Sequence, residues 1–360
     1  MSQKIYNFNA GPAILPHEVL VKAQKELLNY KGIGMSVMEI SHRTKEYEEI
    51  NESAMALFHE LMGLDDTYKV LFLGGGASTQ FAMIPMNLLP KDKTAAYVET
   101  GTWAEKAIKE AKIFGNVHIA ASSKDKNHSY IPKLKDSDVR SDSVYLHITS
   151  NNTIFGTQWH EFPKVSVPLV CDMSSDILSR RLNFAGFSLI YAGAQKNVGP
   201  AGVTIVIIKD DLLAKCSDTS PVIFNYKTHA AENSLYNTPP VFPIYIVKLV
   251  LEWMKEKGGL EVIEEQNRAK QEVIYDAIGQ NSDYYFGHAQ KDSRSWMNIT
   301  FRLPTAELEE KFAKESKAAG FIGLKGHRSV GGIRASLYNA MPLEGVDRLA
   351  EFMQKFRRAN

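Results

Sequence analysis

The strongest constraint on this chain is a repeated alternation. Short runs dense in Val, Ile and Leu fall at 69–73, 94–99, 117–121, 144–149, 167–172, 189–191 and 203–208, with helical or irregular segments between them. Continuous apolar strands of this kind are buried on both faces, so the pattern predicts an α/β fold with a mostly parallel sheet covered by helices. In such open sheets ligands sit beyond the C-terminal strand ends, where loops from several strands meet. The unusual residues fall on that edge: the turn Gly74-Gly75-Gly76-Ala77-Ser78-Thr79, then Trp103, Asn152-Thr153, Asp172 and Lys196.

Lys196 lies in Gln195-Lys196-Asn197, between the runs at 189–191 and 203–208. A lysine on a tight loop between buried strands points its amine into a cleft, where desolvation favours the neutral, nucleophilic form. Asp172 closes the run at 167–172, 24 residues upstream (196 − 172). Pyridoxal phosphate needs such a pair, an amine for its aldehyde and a carboxylate for its pyridinium nitrogen. Singly, a loop lysine is more often a solvated charge, and a strand-end aspartate more often a turn residue. Their pairing on one sheet edge carries the weight. Strand, glycine turn and helix start at 69–79 form a geometry that cradles phosphate on backbone N–H groups. The turn fits neither the Walker A pattern nor the spaced glycines of a dinucleotide fold, and a turn without ligand is equally compatible. Trp103, at the head of the next helix, suits either stacking on a flat ligand or rim packing.

Charge narrows the partners. Lysine plus arginine (42) nearly balances aspartate plus glutamate (41), so there is no general pull toward nucleic acid or an anionic membrane, and anion selectivity must be local. Two cysteines form neither a disulfide framework nor a metal cluster, which fits a reducing, cytoplasmic setting. Met1-Ser2-Gln3-Lys4-Ile5 lacks a signal-peptide core, and apolar runs such as 203–208 are too short to span a bilayer. His42-Arg43 precedes a predicted helix at 44–61, where cations oppose the helix dipole. The pair is either a surface feature or part of an anion site; His327, Arg328 and Arg334 repeat the arrangement among glycines. Residues 16–258 read as a large domain, and 1–15 with 259–360 as a smaller α+β domain divided from it at Gly258-Gly259.

From Asn7-Phe8-Asn9-Ala10-Gly11-Pro12 through Ser41-His42-Arg43, Asp172-Met173-Ser174-Ser175, Ala194-Gln195-Lys196-Asn197 and Asn237-Thr238-Pro239-Pro240 to Gly331-Gly332-Ile333-Arg334, the chain resembles the phosphoserine aminotransferase family. These are pyridoxal-phosphate enzymes of fold type I. The resemblance implies that Lys196 holds the cofactor covalently, Asp172 pairs its ring nitrogen, Trp103 stacks on its ring and Thr153 lies beside its ring hydroxyl. It implies that Ala77, Ser78 and Gln195 hold the cofactor phosphate, with Asn237 and Thr238 supplied by the other subunit of a homodimer. Substrate would be anchored by His42 and Arg43 from one chain, His327 and Arg328 from its partner, and Arg334 on the carboxylate. The implied reaction exchanges an amino group between phosphoserine and 2-oxoglutarate, giving 3-phosphohydroxypyruvate and glutamate, without a metal. A cysteine desulfurase or lyase of the same fold needs a mobile cysteine in an exposed glycine-rich loop, which neither Cys171 nor Cys216 provides. A nucleotide-binding dehydrogenase, or a nonenzymatic binding protein using the glycine turn, is the reading from other classes.

Overall fold

The computed structural model describes residues 4–360. Met1, Ser2 and Gln3, the start of the expected N-terminal arm, lie outside the described residues. In chain order the strands are β1 (Tyr6–Asn7), β2 (Tyr68–Leu73), β3 (Thr94–Glu99), β4 (Asn116–Ser122), β5 (Ser143–Thr149), β6 (Asn151–Asn152), β7 (Thr157–Gln158), β8 (Leu169–Asp172), β9 (Leu189–Gly193), β10 (Thr204–Lys209), β11 (Phe286–Gly287), β12 (Asn298–Arg302), β13 (Phe321–Ile322) and β14 (Ile333–Ser336). The helices are α1 (His17–Glu26), α2 (Lys45–Met62), α3 (Gly76–Leu88), α4 (Thr102–Phe114), α5 (Asp210–Leu213), α6 (Tyr226–Ala231), α7 (Val241–Glu256), α8 (Gly259–Gly279), α9 (Ala306–Ala318) and α10 (Leu343–Ala359).

Seven strands form the main sheet in the order β2-β10-β9-β8-β5-β3-β4. All neighbours are parallel except β10, which is antiparallel to both β9 and β2. The reason is length: residues 194–203 are too few for a crossover, so the chain must turn straight back. That short return is the Lys196 loop. Because β10 alone reverses, the C-terminal ends of β2, β3, β5, β8 and β9 share one edge. The predicted apolar runs are the strands of this sheet, and all are almost wholly buried except β4, the edge strand beside β3, which has no buried residue.

Helices cover both faces. Tyr47, Ile50 and Phe58 of α2 pack with Ile244, Val247 and Met254 of α7 on one side. Phe81 and Ile84 of α3 and Ala107 and Ala111 of α4 pack on the other. A separate core gathers Phe301, Phe312, Phe321 and Phe356, together with Tyr6 and Phe8 of the N-terminal arm. The arm reaches it by parallel pairing of β1 with β13. Helix α8 joins the two cores, with Leu260 and Ile263 in the first and Ile274 and Ile278 in the second. No helix among the described residues is long and apolar enough to cross a membrane.

Three local features shape the surroundings. Helix α1 ends at Glu26, and beyond it Asn29 Oδ1 accepts Gly34 N–H at 2.8 Å and closes a loop. The polar stretch 225–240 contains α6, whose start is capped by Asn225 Oδ1 accepting from Lys227 N at 2.9 Å. Arg334 lies on β14, which begins after the left-handed Gly331 and Gly332 and pairs with β12.

Candidate active site

Lys196 and Asp172 come together as expected. Both line a cavity of about 120 Å³ with Gly76, Ala77, Ser78 and Trp103, and Gln195 is on its wall. Lys196 Nζ donates to Thr153 Oγ1 at 2.8 Å and stands 5.5 Å from the centre of the Trp103 ring. Burial pulls its amine down to about 8; Asp172 acts against that shift and Arg334 adds to it. The loop is pinned from outside by the arm, where Ala13 N donates to Gln195 O at 2.8 Å. At Gly11 a Cβ would stand 3.3 Å from Lys196 Cγ on a backbone with φ +147°, so glycine allows the arm to lie against the lysine. The Asn9-Ala10-Gly11-Pro12 segment thus brings its backbone close to Lys196.

Asp172 ends β8 and is 5% exposed. Its Oδ1 accepts Ser174 N at 2.9 Å and Ser174 Oγ at 2.6 Å, which fixes the carboxylate in the sheet edge. Burial raises its pKa, opposed chiefly by the Lys196 charge. Tyr191 lies beside it, and its hydroxyl meets His147 Nε2 at 2.9 Å. Burial holds that imidazole neutral, down to about 3. Thr149 Oγ1 and Trp103 Nε1 are buried at the cavity without a hydrogen-bond partner.

The glycine turn forms the remaining wall. Gly75 and Gly76 have φ +89° and +70°, and a Cβ on Gly75 would fall 2.1 Å from Thr79 Oγ1. Thr79 Oγ1 itself donates to Gly75 O at 2.8 Å, tightening the turn. The first turn of α3, with its unbonded N–H groups, therefore opens onto the cavity beside Ala77 and Ser78.

The expected cations divide. Arg334 Nη1 donates to Thr153 O at 3.3 Å, while its Nε is buried without a partner. With His327 and Arg328 it lines a larger cavity of about 920 Å³. Burial holds His327 below its ordinary value, and Arg334, Arg328 and Lys106 act in the same direction. His42 and Arg43 sit in the turn before α2, where Arg43 N donates to Ser41 Oγ at 3.4 Å and His42 Nε2 is buried without a partner. Neither lines the cavity of Lys196 or that of Arg334. Asn237 and Thr238 line a different cavity, of about 230 Å³, together with Gly74, Gly75 and Thr79.

Sequence reasoning missed Ser174, Thr149, Asn151 and Asn197. Ser174 was within reach, because a serine two residues after a strand-end aspartate is a turn signature. Asn151, which donates to Ser175 Oγ and Asn298 Oδ1 at 2.8 Å each, gains its role only from a partner 147 residues away. Both cysteines are buried; burial pushes Cys171 well up and Cys216 up to about 12, so neither supplies a reactive thiolate.

The model of the class-V aminotransferases matches residues 5–349. The chain belongs to the class-V aminotransferase family. Within that family it is 56% identical over 356 residues to the phosphoserine aminotransferase of Geobacillus kaustophilus, covering 99% of each chain. It is equally identical over 358 residues to that of Bacillus subtilis, again covering 99% of each. Among solved structures, the phosphoserine aminotransferase from Bacillus circulans subsp. alkalophilus has a TM-score of 0.97 at 54% identity over 99% of both chains. The pyridoxal-phosphate-bound phosphoserine aminotransferase from Trichomonas vaginalis has a TM-score of 0.91 at 36% identity, covering 98% of this chain and all of that one. The chain thus groups with the phosphoserine aminotransferases of the family, and its fold is that of fold type I.

Proposed function

We propose that this chain catalyses the reversible transamination of O-phospho-L-serine with 2-oxoglutarate to 3-phosphohydroxypyruvate and L-glutamate, an amino-transfer step of serine biosynthesis, with pyridoxal 5'-phosphate as cofactor. One observation carries the reading: a half-buried lysine of lowered pKa and a buried, fixed aspartate line one small cavity with Trp103 and the first turn of α3. These residues fit the cofactor. The unpartnered Thr149 hydroxyl and the free N–H groups of α3 suit its phosphate, the Trp103 face suits its ring, and Asp172 suits its ring nitrogen. Ala77, Ser78 and Gln195 would hold the phosphate, and Thr153 would stand beside the ring hydroxyl. When bound, the cofactor supplies the sink for the electron pair left at the substrate Cα.

The chain's own residues do the rest. Asp172, desolvated and anchored by Ser174, keeps a cationic N–H opposite it protonated. Lys196 Nζ, near neutrality at about 8, takes the Cα proton and returns it at the opposite end of the exchange. Arg334 anchors the α-carboxylate. His42, Arg43, His327 and Arg328 take the side-chain phosphate of phosphoserine, or the side-chain carboxylate of glutamate, since the same cations recognise either anion.

A homodimer follows from the same reading. Within one chain His327, Arg328 and Arg334 line one cavity, Asn237 and Thr238 line another, and His42 and Arg43 line neither these nor the Lys196 cavity. We propose that His42, Arg43, Asn237 and Thr238 complete the site of the other subunit. The same reading divides the chain into a large domain at 16–258 and a smaller one at 1–15 with 259–360, although Leu260 and Ile263 at the start of α8 pack in the large core, and the enzyme is assigned to the cytoplasm. The test is reduction of the protein with borohydride in the presence of pyridoxal phosphate, followed by digestion and mass spectrometry. The cofactor is expected on Lys196, and prior addition of phosphoserine should prevent the trapping. Cofactor fixed on another lysine would overturn the assignment.

A further inference from the structure

Helix α8 carries a fully buried lysine that the chemistry above does not use. Lys270 is 1% exposed, at the level where α8 passes from one core to the other. Its Nζ donates to three consecutive carbonyls, Leu337 O at 3.1 Å, Tyr338 O at 2.6 Å and Asn339 O at 3.4 Å. Burial pulls the amine down to about 7. The three oxygens pull the other way, because an ammonium has three N–H groups to satisfy them and a neutral amine only two.

The segment 337–339 reaches the neighbours of the reacting lysine from two sides. Asn339 N donates to Asn197 Oδ1 at 2.9 Å, beside Lys196 in sequence. Tyr338 Oη donates to Ala10 O at 2.7 Å, next to the Gly11 that lies against Lys196. Asn339 also donates to Leu178 O at 2.9 Å, and Asn267, one turn before Lys270, reaches both Ser179 O and Asn339 Oδ1 at 2.8 Å. Just upstream, β14 carries Arg334. The segment that Lys270 holds thus ties together the strand end behind Arg334, the Lys196 loop, the arm over it, and, through Asn339 and Asn267, residues 178–179 after Asp172.

We propose that Lys270 is a positioning residue that acts through Tyr338 and Asn339 to set where Lys196 stands relative to Arg334 and Asp172. Loosening this contact should admit water around Lys196 and relieve the burial that lowers its amine, so the shift is upward.

The test has two arms, of which only the kinetic one rests on the transamination reading. In the cofactor-free chain, the pH dependence of acetic anhydride labelling of Lys196, resolved by mass spectrometry, gives the midpoint of its amine directly. Lys270→Met and Asn197→Ala are each expected to raise that midpoint by about half a unit or more, and the double variant by no more than either alone, because both break one line of contacts. In the holoenzyme, kcat/KM for phosphoserine should fall about tenfold or more in each. Variants that lower the melting temperature but leave the midpoint unmoved, or shifts that add in the double variant, would overturn the proposal. If Lys270→Met does not fold, Asn339→Ala decides, and an unmoved midpoint there is equally fatal. A wild-type holoenzyme without turnover would count against the functional reading and leave the labelling arm standing.

Discussion

Lys196 is held between burial, which disfavours its charge, and Asp172, which favours it; burial wins, bringing the amine to about 8. In the cofactor-free chain this has a defined pH consequence. The unfolded lysine titrates at 10.5, so between about 8 and 10.5 the unfolded chain holds more protons than the folded one. Stability contributed by this group therefore rises with pH across that window, and is lowest below about 8, where the folded chain must bury the charge. Urea unfolding of wild type and Lys196→Met at several pH values checks this. The difference between the two should narrow as pH rises, and a constant difference would mean that Lys196 does not titrate there. Arg334 and Arg328 separate by role. Arg334→Ala is expected to slow the single-turnover half-reactions with phosphoserine, glutamate and alanine alike, on the order of a hundredfold, because the α-carboxylate is common to all three. Arg328→Ala should slow phosphoserine and glutamate but spare alanine, which has no side-chain anion. Equal loss with alanine would make Arg328 a structural residue.

The glycine turn before α3 shows how an element, rather than a side chain, builds a binding wall. Its left-handed Gly75 and Gly76 aim the first turn of α3 at the cavity, and Thr79 closes the turn from inside. Gly75→Ala would put a methyl 2.1 Å from Thr79 Oγ1 on a backbone that L side chains rarely adopt. The expected result is at least a tenfold weaker hold on pyridoxal phosphate, read by fluorescence titration, with the main sheet intact by circular dichroism. Unchanged affinity would mean that the turn only connects β2 to α3. The strands and long helices were legible because their apolar runs report burial residue by residue. Elements defined by distant partners were not. The β1–β13 pair is two residues long and joins Tyr6 to Phe321, and β14 is four residues long and directly follows Gly331 and Gly332. Lys270 shows the same limit. An isolated lysine in a helix gives no sign of three carbonyls some 70 residues downstream.

At the scale of the whole molecule, the sheet edge explains which of the expected site residues a single chain gathers in one cavity and which it does not. Lys196, Asp172, Trp103 and the glycine turn lie at or just after the ends of strands of one parallel array, so strand order alone brings them together, and Thr153 follows the short β6 just beyond β5. His42, Arg43, Asn237 and Thr238 follow no such rule and do not line the Lys196 cavity. If each of two sites in a homodimer takes Lys196 from one subunit and His42-Arg43 from the other, damaged chains should complement one another. Co-expression of Lys196→Ala chains with chains carrying His42→Ala and Arg43→Ala would make about half of the dimers hybrids, each with one site intact and one doubly damaged. Activity should then return to about a quarter of wild type, from parents that are each nearly inactive. If Lys196 and His42-Arg43 served the same site from the same chain, every site in the hybrids would lack one or the other. No activity would return, and the shared-site dimer would be refuted while the identity of the reaction stood.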